Sequence, residues 1–433
     1  MELLTENLNI KNGHLTVGGV DTVELAREYG TPLYVMDRDL MAKTAREYKS
    51  AIERAYGKGN GRILYASKAF CCLESCRFAA AEGLGLDVVS GGELYTALKA
   101  GFPAELICFH GNNKTDAELK MAILNGVGHV IVDNLFELER LNAFALEEGK
   151  RVRIMFRIKP GIDAHTHDYV RTGSIDSKFG FALENGEAYE IAKATLSMEG
   201  VEFTGIHCHI GSQIFDIEPF EDAAEVMLNF MAKIKNELGI TLTELNLGGG
   251  YGIKYTAEND PVPYGAYIEK ISVRVKEVCK RLGISLPFIF MEPGRSLVGP
   301  AGITLYTVGS IKEIKGIKNY LAVDGGMADN PRYALYKSEY TVVAASRMND
   351  APEKEYTVAG KCCESGDLIQ ERVILPEMKS GDILAVLATG AYNYSMSMNY
   401  NRIPRPPVVA VSGGSKSVWI KRESYDDIIK NDI

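Results

Sequence analysis

From about residue 60 to residue 293 the chain alternates short apolar, β-branched runs with stretches of helical periodicity, and this limits its possible folds more than any other feature. The strand-like runs are Arg62–Tyr65, Leu86–Val89, Leu106–Phe109, His129–Val132, Arg153–Ile158, Gly205–Cys208, Glu244–Leu247 and Pro287–Met291. Helical stretches such as Leu135–Glu148, Pro219–Glu237 and Tyr267–Leu282 separate most of them, with apolar residues three and four apart. Each run but the last leads towards a helix or a long excursion, so a parallel sheet with helical crossovers is implied. Eight such units in roughly 250 residues is the expected size of a (β/α)8 barrel. A doubly wound open sheet is the competing arrangement.

After about residue 300 the rhythm changes. Ile303–Val308, Asn319–Val323, Tyr340–Ala344, Tyr356–Ala359, Ile383–Leu387, Val408–Val411 and Val418–Ile420 read as strands broken by Gly, Pro, Asn and Asp. Long helical patterns are scarce there, which predicts a second, all-β domain. The first 38 residues also look β-like (Leu15–Val17, Leu33–Met36), whereas Asp39–Tyr56 looks helical. The expected organisation is therefore a β segment over 1–38 that joins a C-terminal β domain over 301–433, with the barrel over 39–300.

Charge and composition remove several classes of function. Lys and Arg total 48 against 57 Asp and Glu, a net charge of -9 that suits a nucleic-acid backbone poorly. No apolar run approaches the roughly 20 residues needed to cross a bilayer. The opening Met-Glu-Leu-Leu-Thr-Glu-Asn has neither a basic nor an apolar leader region, so export is not expected. Eight Cys in 433 residues is no disulfide scaffold, and reduced thiols in a cytoplasmic protein are the default expectation.

In a (β/α)8 barrel the residues just after each strand line one rim, where the active site lies. Here they are Ala66-Ser67-Lys68 after strand one, Ser90-Gly91-Gly92-Glu93 after strand two (with Asp87 inside it) and His110 after strand three. Asp133 and Asn134 end strand four, and Arg157 lies near the end of strand five. Strand six gives His207-Cys208-His209-Ile210-Gly211-Ser212, strand seven Gly248-Gly249-Gly250-Tyr251-Gly252, and strand eight Glu292-Pro293-Gly294-Arg295. Solvation alone explains so many polar or glycine-rich endings poorly; one shared pocket explains them together.

Lys68 ends a strand beside small residues. Most lysines snorkel at a surface, but one at a barrel rim can be partly desolvated and lose its proton readily enough to form a Schiff base. The triplet Gly248-Gly249-Gly250 lets backbone N–H groups approach an anion closely, and Gly294-Arg295 adds a loop with a cation. Glycine triplets also serve ordinary turns. Together with Gly211-Ser212, however, these loops read as a phosphate cup. A Schiff-base lysine with a phosphate cup points to pyridoxal phosphate before any other cofactor. A class I aldolase shares both features, but by analogy its lysine arises late in the barrel and it needs no β domain.

These motifs resemble those of the alanine-racemase-like, fold type III pyridoxal-phosphate decarboxylases: Tyr65-Ala66-Ser67-Lys68, Asp87-Val88-Val89-Ser90-Gly91-Gly92-Glu93, His209-Ile210-Gly211-Ser212, Gly248-Gly249-Gly250 and Glu292-Pro293-Gly294-Arg295. Further segments are similar to the diaminopimelate decarboxylases within that group: His165-Thr166-His167, Ser177-Lys178-Phe179-Gly180, Cys363-Glu364-Ser365-Gly366-Asp367, Gly390-Ala391-Tyr392 and Ser395-Met396-Ser397-Met398-Asn399-Tyr400-Asn401. The likeness runs in order over nearly the whole chain.

The resemblance implies a (β/α)8 barrel plus a β domain, and a homodimer with active sites at the interface. It implies that Lys68 holds pyridoxal phosphate covalently, that His209 stacks on the ring and that Glu292 pairs with the pyridine nitrogen. Asp87 and Arg157 join the cofactor contacts; Ser212, Gly249, Gly250 and the backbone of Glu292–Arg295, Gly294 included, cradle the phosphate, with Tyr392 closing over it. Cys363, entering from the partner subunit, would return a proton to the carbon that loses CO2; read alone it is an ordinary small buried hydrophobe, and only the motif selects it over Cys362. Glu364 resembles the contact to the substrate's distal ammonium, and Arg295, Arg332 and Tyr336 the contacts to its distal carboxylate, which Arg suits by bidentate pairing. Tyr392 belongs to the implied substrate contacts as well. One departure is Tyr333, where the family usually has proline, although Arg332 and Tyr336 keep their separation.

Cys71, Cys72 and Cys76, and the run His207-Cys208-His209, lack a matching second pair at zinc-finger spacing, so no metal is expected. The implied reaction is decarboxylation of meso-diaminopimelate at its D centre to L-lysine and CO2. Three alternatives stay open: a sibling decarboxylase acting on arginine, ornithine or carboxynorspermidine, a racemase, and an inactive homologue that regulates or carries pyridoxal phosphate. Retention of Lys68, the cup and Cys363 argues against the regulator, and the long C-terminal domain against a simple carrier.

Overall fold

The computed structural model describes residues 3–162 and 177–433, in two compact units. The motif His165-Thr166-His167 lies outside the described residues. The first unit, Thr44–Gly252 with Pro261–Gly294, contains a closed barrel of eight parallel strands. They are β1 (Gly61–Ala66), β2 (Gly85–Val88), β3 (Ile107–Phe109), β4 (His129–Val132), β5 (Val152–Lys159), β6 (Val201–His207), β7 (Glu244–Asn246) and β8 (Phe288–Met291). Each pairs with the next, and β8 returns to β1 with Met291 opposite Ile63, so the expected barrel closes and the open sheet is excluded.

Closure explains the apolar runs. A barrel strand is covered outside by helices and inside by its neighbours' side chains, so both of its faces are dry. Ile63, Leu64, Tyr65 and Ala66 of β1 are all buried accordingly. Leu64, Cys108, Ile131, Met155 and Phe290, from five different strands, form one buried cluster. At the end opposite the strand C-termini, His129 Nε2 lies 2.9 Å from Glu244 Oε2, and Arg153 donates to Glu244 Oε1 at 2.5 Å. Part of the polarity after the strands has a local cause. Ser90 and Asn134 are N-caps, accepting from the backbone N–H of Glu93 and Glu137, and Thr115 forms a capping box with Glu118.

The second unit takes three stretches of chain, Met1–Lys43, Ile253–Asp260 and Arg295–Ile433. Its organising strand is Leu33–Asp37, which runs antiparallel to Gly302–Ile314 and parallel to Val408–Ser412. A small meander, Leu8–Lys11, His14–Val17 and Val20–Asp21, precedes it. Asp21 then caps a helix, Thr22–Tyr29, that the apolar pattern did not announce. The expected boundaries at 38 and 300 differ from these divisions, most of all at Ile253–Asp260. Ile253 and Tyr255 are buried in one cluster with Tyr306, Leu321, Tyr340 and Val358, so this stretch leaves the barrel's core for the other. Leu368–Leu375 is a strand that sequence reading missed, because Gln370, Glu371 and Arg372 interrupt its apolar run. No helix among the described residues is long and apolar enough to cross a membrane.

Gly205 on β6 shows how tight the barrel wall is: a Cβ there would lie 2.3 Å from the carbonyl oxygen of Glu244 on β7. Gly205→Ala is expected to destabilise the protein by about 2 kcal/mol through overpacking, read as a lowered midpoint of thermal unfolding.

Candidate active site

Lys68 stands on a single turn, Ser67–Ala69, directly after β1. Its Nζ lies 4.0 Å from Oδ2 of Asp87 on β2; the lysine side chain is 38% exposed and the aspartate is buried. Burial pushes the Asp87 carboxyl above its ordinary range, against the pull of His110 and Lys68. The turn is anchored by Glu93, whose Oε2 accepts from Ser67 Oγ at 2.9 Å and from the Val89 N–H at 2.8 Å. The acid of Ser-Gly-Gly-Glu thus braces the lysine's turn.

Glu292, after β8, is buried and takes three hydrogen bonds from three other strand ends. Its Oε1 lies 2.8 Å from His110 Nε2 and accepts from Asn246 Nδ2 at 2.6 Å, and its Oε2 lies 3.2 Å from His207 Nε2. Burial alone would raise its pKa, yet the two histidines hold it well below the ordinary carboxylate range. Burial drives His207 the other way, down to about 3, so its ring is neutral at physiological pH. A neutral ring that donates through Nε2 leaves Nδ1 bare, and His207 Nδ1 is a buried atom without a hydrogen-bond partner among the described residues. These three groups gather within 4.8 Å, a spacing that a metal ion could also use. Three of the carboxylate's about four acceptor sites go to the two rings and the amide.

Around this centre the glycines leave room for nothing but backbone. A Cβ on Gly249 would stand 2.1 Å from the Glu292 carbonyl oxygen, and one on Gly250 2.5 Å from that of Gly211. Gly248 (φ 65°) and Gly250 (φ 121°) occupy the conformational region that favours glycine. The Gly249 N–H points at His209 Nδ1, 3.4 Å away. Burial, then the positive charges of Lys68 and Arg157, keep His209 neutral. Arg157 is itself buried beneath the Phe179 ring, 4.2 Å from its centroid, which connects it to the segment Ser177-Lys178-Phe179-Gly180. Ser212 lies on the loop after β6, between this cradle and Ile214, which bridges to Tyr251.

The second unit holds a different constellation. Arg295 and Arg332, each 6% exposed, both donate to the Tyr255 hydroxyl, at 2.6 and 2.8 Å. Tyr392 lies beside them, its ring centroid 4.7 Å from the Arg295 guanidinium and 5.9 Å from that of Arg332. Tyr336 closes the short helix Arg332–Tyr336, and Tyr333, the departure from the family pattern, donates to Glu371 at 2.6 Å. Cys363 and Glu364 sit exposed on a separate loop. That loop is shaped by Asp367, which accepts from the N–H groups of Met327 at 2.5 Å and Cys362 at 2.7 Å. The neighbouring thiols are physically distinct: Cys362 is buried and pushed up to about 12 by burial, whereas Cys363 is exposed.

Residues 41–299 match the family model described as pyridoxal-dependent decarboxylase, pyridoxal binding domain. The diaminopimelate decarboxylase of Bacillus subtilis is 51% identical over 98% of this chain and 96% of its own length. That of Synechocystis is 44% identical over 99% of this chain and 92% of its own. The crystal structure of diaminopimelate decarboxylase from M. jannaschii in complex with L-lysine superposes with a TM-score of 0.92 at 35% identity, covering 100% of this chain and 99% of that one. The chain belongs to the diaminopimelate decarboxylases.

A decarboxylase of this family uses pyridoxal phosphate, and the barrel unit fits that group on three counts. Lys68 offers an amine at the mouth, the glycine loop brings bare backbone, with no room for a Cβ, beside the Glu292 and Gly211 carbonyls, and Glu292 is a buried carboxylate kept ionised. Sequence reading gave no role to His110, His207 and Asn246, although the first two were visible at strand ends. Asn246 is hidden inside an apolar run, and Tyr255 carried no signal because it looks like one more residue of a glycine-rich loop.

His207 gives the decarboxylase a pH signature. Its folded pKa of about 3 lies below the ordinary 6.5, so the unfolded chain binds a proton that the folded one refuses, and stability falls as pH drops below 6.5. Between pH 7 and pH 5 this amounts to about 2 kcal/mol. Urea unfolding at both pH values should register that loss in the wild type and a smaller one in His207→Gln.

Proposed function

We propose that this chain removes the carboxyl group at the D centre of meso-2,6-diaminopimelate as CO2, leaving L-lysine, the last step of lysine biosynthesis by that route. The carrying observation is Arg332. It is a buried cation whose hydrogen bonds go to Tyr255, Tyr340 and Ser338, hydroxyls rather than carboxylates, among the described residues. A buried guanidinium without a carboxylate suits a substrate that brings its own. Lysine, ornithine and arginine have none at the far end.

The residues divide the work by their chemistry. Pyridoxal phosphate, when bound, supplies an electron-withdrawing ring that takes up the pair released as CO2 leaves. Lys68 would hold it, with Asp87 close enough to bias the amine's proton. Glu292, fixed as an anion by His110, His207 and Asn246, would keep the pyridine nitrogen protonated. His209, neutral, can lie against the ring without adding a competing charge, and Arg157 compensates the two buried acids. Gly249, Gly250, Gly294 and Ser212 would bind the phosphate through backbone and hydroxyl donors, with Arg295 and Tyr392 completing it. Arg295, Arg332 and Tyr336 take the distal carboxylate, Glu364 the distal ammonium, and Tyr392 borders the substrate. Cys363 of the partner subunit is the proton donor to the carbon that has lost CO2. This assigns a homodimer, and the eight free thiols suit a cytoplasmic location.

The deciding experiment is an absorbance spectrum of the purified protein before and after meso-diaminopimelate, with lysine assayed in the same tube. Borohydride should fix the cofactor onto the peptide containing Lys68, and Lys68→Ala should lose both the cofactor absorbance and nearly all turnover. Cys363→Ala should keep the spectrum yet lower kcat by about a hundredfold, the scale of a lost general acid; an unchanged kcat removes it from the mechanism. Release of CO2 from lysine, ornithine or arginine in preference to diaminopimelate would reject the assignment of Arg332.

A further inference from the structure

Tyr255 is the point at which two buried cations meet. Its hydroxyl accepts from Arg295 Nη1 at 2.6 Å and from Arg332 Nη1 at 2.8 Å. A phenolic oxygen can accept two hydrogen bonds and donate one. Both acceptor positions are therefore taken, and no acceptor for the O–H appears among the described residues. Tyr340 differs: it accepts from Arg332 Nη1 at 3.2 Å and donates to Asn393 Oδ1 at 3.4 Å. The Tyr255 ring is locked as well, edge-on to Tyr340 with centroids 5.2 Å apart. Its backbone carbonyl accepts from Thr341 Oγ1 at 2.9 Å and its N–H donates to Asn259 at 2.9 Å.

We infer that Tyr255 is a positioning residue that sets Arg295 and Arg332 side by side and adds its own O–H as a third donor for an anion. Two guanidiniums repel each other, and a shared neutral acceptor lets both face one point without cancelling either charge. The inference rests on the reading of Arg295 and Arg332 as contacts to the distal carboxylate, and it names what orients them. Discrimination between diaminopimelate and amino acids without that carboxylate would then depend on Tyr255 as well as on the two arginines.

A purely structural tyrosine would not titrate with the site, whereas this one should. Burial raises the Tyr255 pKa, but Arg295 and Arg332 outweigh it and bring the phenol below the ordinary 10. The charged and titratable groups facing it are those two arginines, Tyr340 and Tyr392, whose ring lies beside both guanidiniums. When the phenol ionises it places an anion where the carboxylate should bind, so affinity for a carboxylate falls as pH rises.

The test uses the holoenzyme, its Tyr255→Phe and Arg332→Leu variants, and pimelate, a dicarboxylate without amines, as competitive inhibitor. In Tyr255→Phe the KM for meso-diaminopimelate and the Ki for pimelate should rise about tenfold, the scale of one hydrogen bond to a charged group. kcat and the cofactor spectrum should stay near wild type, as expected when uniform binding is lost. In the wild type the pimelate Ki should climb with alkaline pH, and in Tyr255→Phe that climb should vanish. If Arg332→Leu raises these constants and Tyr255→Phe does not, the inference is overturned while the functional reading stands. If neither variant moves them, both fall. Should Tyr255→Phe fail to fold, the wild-type profile decides: a pimelate Ki flat with pH overturns the inference.

Discussion

A carboxylate kept ionised in the interior of the barrel is the constraint that the first unit answers. An isolated buried anion is prohibitively costly, and it is tolerated only where hydrogen bonds replace the lost water. Glu292 receives its three from His110, His207 and Asn246, and these four groups come from or follow β3, β6, β7 and β8. Closing the barrel in register and solvating that charge are thus one requirement. The choice of donors matters too. His207, pushed towards its neutral form, supplies a hydrogen bond without placing a cation beside the carboxylate.

The second unit solves the converse problem. Arg332 is a buried positive charge, and among the described residues the hydroxyls of Tyr255, Tyr340 and Ser338 satisfy it without neutralising it. A carboxylate in the same place would complete the ion pair and leave no net charge there.

The sequence disclosed the barrel well because its signal is repeated: eight apolar runs, each followed by polar or glycine residues, admit few topologies. Lys68, Glu292 and the Gly248-Gly249-Gly250 loop were legible because each ends a strand. The supporting groups were not. Asn246 sits in Glu244–Leu247, where a polar residue looks like an interruption rather than an inward-facing donor. Tyr255 acts through partners 40 and 77 residues away along the chain, a relation only the fold creates. Leu368–Leu375 escaped notice because half-buried strands carry charges on their wet face. The domain divisions escaped for a similar reason, since apolar residues such as Ile253 do not declare which of two cores they enter.

The order in which the chain contributes to its second unit has a consequence for biosynthesis. Leu33–Asp37 emerges from the ribosome early, yet its two sheet partners, Gly302–Ile314 and Val408–Ser412, are among the later parts to be made. The barrel's last strand, Phe288–Met291, precedes both, so the barrel can close while this early strand still waits with both edges bare. An unpaired apolar strand is a template for wrong pairing. The nascent polypeptide must therefore shelter its own amino-terminal portion, by chaperone or by transient collapse, until synthesis is nearly finished.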